Sequence, residues 1–122
     1  MNKTFWVLGC VLGFAGVAAG AFGAHALRGK LSQELLAVWE TAVRFQMYHA
    51  LALLAAAWAT SQWANRAAEA AGWLFAGGTV IFCGSLYLLA LSGTRWLGAI
   101  TPIGGLMLLA GWAALGLSGW QR

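Results

Sequence analysis

Gly9-Cys10-Val11-Leu12-Gly13-Phe14-Ala15-Gly16-Val17-Ala18-Ala19-Gly20-Ala21-Phe22-Gly23 is the stretch on which the fold depends. It carries no charge and no proline, and its glycines recur at intervals of four, three, four and three. On a helix that spacing gathers Gly9, Gly13, Gly16, Gly20 and Gly23 into one stripe without side chains. A stripe of this kind has little use in water, where helices associate by burying apolar bulk. In lipid the hydrophobic drive between helices is small, and close backbone approach with van der Waals contact takes its place.

The rest of the chain agrees with a lipid solvent. Of its 122 residues 61% are hydrophobic and 8% charged, more apolar surface than a soluble domain of this size can keep dry. The charges divide the sequence: Thr4 to Leu27, Phe45 to Ala64, Ala71 to Leu91 and Leu97 to Trp120 contain none. Each runs for about 20 residues or more, enough at roughly 1.5 Å per residue to cross a hydrocarbon core of about 30 Å. The expected fold is therefore an all-α membrane protein, a bundle of four transmembrane helices with glycine-mediated close packing. The spans fall at about 4–27, 42–64, 71–91 and 99–119 in one domain, with both termini on the same side. Smaller stripes at Ala71, Gly78 and Ser85, and at Gly104, Gly111 and Ser118, extend the packing pattern to the third and fourth spans.

A signal peptide would also begin with Met-Asn-Lys and an apolar run, but this run exceeds a usual signal core, and it is read as a retained helix. Seven Lys and Arg against three acidic residues leave the chain at +4. The bases stand singly near segment ends (Lys3, Arg28, Lys30, Arg66, Arg95, Arg122), suited to lipid headgroups and not to nucleic acid. With Arg44 counted, the two faces differ by one base, too little to orient the protein. Tryptophan prefers the headgroup boundary, and Trp6, Trp39, Trp63, Trp73, Trp96 and Trp120 fall near span ends. Trp58 and Trp112 are expected to pack inside. Cys10 and Cys83 sit at unmatched depths, so no disulfide or metal pair is expected. Thr101 reads as the cap of the last helix, with Pro102 in its first turn.

Polarity concentrates in the second span: Glu40, Arg44, Gln46, Tyr48 and His49, with His25 near the end of the first. Glu40 precedes Arg44 by four residues, the favourable order for a helical ion pair. His49 is expected to face the neighbouring helices and bond a hydroxyl or carbonyl there. Intramembrane ionisable groups are default functional candidates, so a polar path past His49 and Arg44 is the alternative. No His-Glu-x-x-His, phosphate loop, serine elbow or paired buried carboxylates occur, and neither a catalysed reaction nor a cofactor is expected. The expected partners are the bilayer and a second copy or another membrane protein.

Four ordered motifs then match a known pattern: Gly20-Ala21-Phe22-Gly23-Ala24-His25, Val43-Arg44-Phe45-Gln46-Met47-Tyr48-His49-Ala50-Leu51-Ala52-Leu53, Gly84-Ser85-Leu86-Tyr87-Leu88-Leu89-Ala90 and Gly98-Ala99-Ile100-Thr101-Pro102-Ile103-Gly104-Gly105. Together they resemble the YgdD/YwdK family of small bacterial membrane proteins of unknown function, over essentially the whole chain. The resemblance implies a four-helix protein of the bacterial inner membrane and supplies no reaction or ligand.

Overall fold

The computed structural model describes residues 1–120; Arg122, counted above among the bases, lies outside them. The chain is all helical: α1 (Lys3–Phe22), a π-helical turn (Gly23–Leu27), α2 (Gln33–Gln62), α3 (Arg66–Ser92), a 3-10 turn (Arg95–Ala99) and α4 (Thr101–Trp120). Side-chain caps start three of the helices, each satisfying an orphan amide. Asn2 Oδ1 accepts from Phe5 N at 3.2 Å, Ser32 Oγ from Leu35 N at 3.2 Å, and Asn65 Oδ1 from Ala68 N at 3.2 Å. Gly93 ends α3 at φ +71, a left-handed position that glycine takes without strain. The segment after Lys30 is the early part of a long α2.

Three helical segments, Lys3–Leu27, Arg66–Ser92 and Arg95–Trp120, are long and apolar enough to cross a membrane. α2 is not among them, because Arg44, Gln46, Tyr48 and His49 lower its mean hydropathy. It is nevertheless an inner helix like α3, burying Trp39, Ala42, Gln46, His49, Ala50, Leu53 and Ala56 against its neighbours. Packing follows chain order: α1 lies on α2, α2 on α3 and α3 on α4, with α1 and α4 apart among the described residues. The helices therefore form an open row, and one stripe of α2 stays uncovered.

The glycines of α1 all face α2. A Cβ placed on Gly9 would stand 2.9 Å from the Ala50 carbonyl, on Gly16 2.5 Å from Met47 Sδ, and on Gly23 2.5 Å from the Trp39 indole nitrogen. Gly13 and Gly20 are looser, at 3.9 Å from Ala50 Cβ and 3.3 Å from Val43 Cγ1. Between α3 and α4 the approach is tighter still, since a Cβ on Gly104 would collide with the backbone of Phe82. Gly111 lies against the Phe75 ring, and Phe5 fills the space beside Gly72. Phe5, Leu53 and Phe75 are fully buried at the centre of the largest apolar cluster.

Hydrogen bonds tie the N-terminus, the α2–α3 link and the end of α4 together at one end of the molecule. Asn2 donates its backbone N–H to Thr60 Oγ1 at 2.9 Å and its amide to Glu69 at 3.0 Å, while Asn65 Nδ2 donates to the Ser118 carbonyl at 3.1 Å. Asn65 thus caps one helix and holds another. Asn65→Ala removes both bonds, and a loss of about 2 kcal/mol is expected, one for the cap and one for the interhelical bond. Thermal unfolding in detergent measures it; an unchanged midpoint would mean that the link is held by packing alone.

Candidate functional site

The polar residues of α2 separate by face. Gln46, 6% exposed, points into the row and bridges three helices. Its Nε2 donates to the Leu12 carbonyl of α1 at 2.8 Å, and its Oε1 accepts from the Tyr87 hydroxyl of α3 at 2.6 Å. About two turns nearer the start of α2, Trp39 Nε1 donates to the Ala19 carbonyl at 2.9 Å and packs edge-on against Tyr87 with ring centroids 4.6 Å apart.

Both carbonyls already accept within α1, and both are reached for one reason. A helical side chain covers the turn preceding it, so the residue four places on shields a carbonyl. Gly16 follows Leu12 by four and Gly23 follows Ala19 by four. With no Cβ in the way, an amide and an indole from α2 reach the α1 backbone. The glycine stripe is therefore also a row of accessible acceptors, which its spacing alone did not disclose.

His49, 4% exposed, lies a turn below Gln46 toward α4. Trp112 Nε1 donates to its Nε2 at 3.1 Å, and its Nδ1 stands 2.6 Å from the Phe45 carbonyl. An indole N–H only donates and a carbonyl only accepts, so the ring is neutral with its proton on Nδ1. A second proton on Nε2 would face the indole hydrogen. His49 thus bonds a carbonyl of its own helix and an indole of α4, in place of the neighbouring hydroxyl or carbonyl expected. Phe45, Phe75 and Trp112 surround it with ring centroids 6.2, 5.7 and 5.9 Å away.

The other candidates scatter. Glu40 and Arg44 are exposed and do not pair; the Arg44 guanidinium donates to Thr41 Oγ1 at 3.3 Å instead. The ion pair formed among the described residues joins Arg95 to Glu34 at 3.6 Å in the open. Tyr48 is 55% exposed on the outer stripe of α2, and His25 is exposed in the π-helical turn, far along α1 from His49. Trp58 and Trp112 are half exposed, at 52% and 48%, against the expectation that they pack inside; Trp58 lies on the uncovered stripe of α2 and Trp112 beside the gap between α2 and α4. Cys10 is exposed and Cys83 buried, both free. Among the described residues no three His, Cys, Asp or Glu come together as a metal set would require.

Tyr87, Trp112, Ser85 and Thr101 also bond across helices, partnerships that spacing did not disclose. Thr101 is the first residue of α4 and not its cap: its hydroxyl lies 2.6 Å from Ser85 Oγ, joining α4 to α3. Pro102 occupies the first turn as expected. Among the described residues the Thr79 hydroxyl is the buried side-chain polar atom without a partner.

Comparison with known proteins adds the family. A family described as protein of unknown function (DUF423) matches residues 19–105. The chain belongs to it. A UPF0382 membrane protein of Staphylococcus haemolyticus is 50% identical over 116 residues, covering 95% of this chain and 94% of the relative. One from Staphylococcus epidermidis is 48% identical over 113 residues, covering 93% and 92%. The UPF0382 membrane protein YwdK of Bacillus subtilis is 42% identical over 111 residues, covering 90% of each chain, which bears out the resemblance carried by the four motifs. No solved structure matches.

Proposed function

We propose that this family member crosses the bacterial inner membrane four times, with both termini on one side, and acts without catalysis as a structural or accessory partner of other membrane proteins. The observation that carries this reading is the engagement of the polar interior. Gln46, His49, Tyr87, Ser85 and Thr101 all bond across helices, which leaves them holding the fold and not facing a solute.

α2 qualifies as the fourth span by its neighbours, since it lies between two apolar helices that satisfy its buried polar groups from inside. Its expected span, 42–64, is about 33 Å long at roughly 1.5 Å per residue, enough to cross a hydrocarbon core of about 30 Å. The glycine contacts of α1 with α2 and of α3 with α4 suit helix association in lipid. The bonds of Asn2 and Asn65 favour termini on one side. A polar path past His49 and Arg44 is disfavoured, because the groove beside them is walled almost wholly by apolar groups and both ring nitrogens of His49 are already engaged.

Single cysteines at Ser32, Ala64 and Gly93 in a chain lacking Cys10 and Cys83 test the spans. An impermeant maleimide applied to intact spheroplasts is expected to label positions 32 and 93 from one side and 64 from the other. Labelling of 32 and 64 from the same side would remove the second span. The accessory role is tested by crosslinking in native membranes, where a discrete larger species is expected. A chain that stays monomeric with crosslinkers on every exposed face would overturn it.

A further inference from the structure

The uncovered stripe of α2 runs through Ala37, Glu40, Arg44, Tyr48, Leu51, Ala55 and Trp58, all exposed. Its lower half and the facing side of α4 enclose a groove of about 630 Å3, lined by Tyr48, Leu51, Ala55, Gly105, Leu109 and Trp112 among others. That volume falls in the range of roughly 300–1,000 Å3 usual for ligand sites. Its walls are apolar, and Arg44 stands one turn above Tyr48 at its upper end.

Arg44 forms no ion pair among the described residues; only the Thr41 hydroxyl holds it. On the reading of α2 as a span from about residue 42, Arg44 lies just inside its end, on the exposed stripe. A guanidinium at that depth is costly and reaches toward the headgroups. A cation over an apolar slot matches one molecule in both charge and shape. We infer that the groove between α2 and α4 binds an anionic phospholipid, with its phosphate on Arg44 and an acyl chain along Tyr48, Leu51 and Trp112. A second copy is the poorer occupant. A two-fold axis along the membrane normal through this stripe would set Arg44 against Arg44 at equal depth.

The inference rests on the four-span reading, and its test is independent of the cysteine labelling that decides that reading. The full chain in detergent is titrated with phosphatidylglycerol or phosphatidylcholine of identical acyl chains, and bound lipid is counted by native mass spectrometry. The wild type is expected to prefer phosphatidylglycerol. Arg44→Gln should lower phosphatidylglycerol binding about fivefold and phosphatidylcholine, whose phosphate is offset by its own choline, by less, while Arg44→Lys keeps the preference. Lys30→Gln removes the same charge from the same end away from the groove and should leave the ratio as it is. Gly105→Leu fills the groove, where a Cβ meets only the Phe82 ring at 3.6 Å, and should weaken both lipids. Equal binding of the two lipids by the wild type, or an Arg44→Gln variant with an intact melting transition and an unchanged ratio, overturns the inference. So does efficient disulfide pairing of Leu51→Cys between copies in lipid-replete membranes.

Discussion

Gly104→Ala is expected to destabilise the protein by about 3 kcal/mol, the upper part of the range for overpacking, although it adds a single methyl group. The reason is what the methyl would meet. At Gly104 the new atom would overlap the amide nitrogen and Cα of Phe82 and stand 2.9 Å from the Gly78 carbonyl, so α3 and α4 would have to separate as rigid bodies. At Gly16 the obstacle is the Met47 thioether, the flexible end of a side chain, which can turn away. Gly16→Ala should therefore be mild, whereas Gly16→Leu, which also obstructs the approach of Gln46, should be clearly worse than Val17→Leu on the exposed side of α1. Gly84 and Gly116 have nothing within 4 Å of a new Cβ. Alanine at either should be neutral or stabilising by up to about 1 kcal/mol, through helix propensity. Thermal unfolding in one detergent, followed by tryptophan fluorescence, ranks the series. Equal midpoints for Gly104→Ala and Gly116→Ala would refute the close approach of α3 and α4.

Gln46→Leu should cost about 2–3 kcal/mol. Leucine preserves most of the volume, but it gives up bonds to α1 and α3, each worth about 1 kcal/mol between membrane helices. It also strands the Tyr87 hydroxyl, 2.6 Å from the Gln46 oxygen, without an acceptor in a dry interior. The stranded group makes the effect separable. Tyr87→Phe alone leaves Gln46 Oε1 unsatisfied, whereas Gln46→Leu with Tyr87→Phe removes both orphans. The double variant is expected to be at least about 1 kcal/mol more stable than the two single losses added together. Additive losses would mean that each residue acts through packing alone. His49 and Trp112 form the equivalent pair between α2 and α4, with one bond at stake and a correspondingly smaller effect.

Much of the helical content was legible along the chain, because hydropathy and charge are local properties. Lys3, Arg28, Arg66 and Arg95 mark the ends of apolar runs whatever the runs later touch. The site was less legible. The ion pair expected of Glu40 and Arg44 follows from helical spacing, yet the guanidinium turns to Thr41, because both side chains lie on an outer face where nothing holds them together. Thr101 has the composition of a cap, but its hydroxyl is taken by Ser85, 16 residues away on another helix. Trp112 and Trp58 looked interior by depth, and depth does not say which side of a helix meets a neighbour.

The sequence by itself determined that the chain is helical and apolar, where its glycines share a face, and that its polarity gathers in α2, since each of these is set by residues within a few turns of one another. Only the tertiary structure decided what that polarity does. Gln46 meets a carbonyl 34 residues away and a hydroxyl 41 residues away, and His49 meets an indole 63 residues away. Such partners depend on the rotation and register of whole helices, and at Gly9, Gly78 and Gly104 an added Cβ would meet the backbone of the neighbouring helix within 3.1 Å. The open row that leaves Arg44 beside a groove lined by Tyr48 is likewise a property of whole helices. A stripe stays bare when the helices pack in chain order without closing, and no pattern within a single helix encodes that.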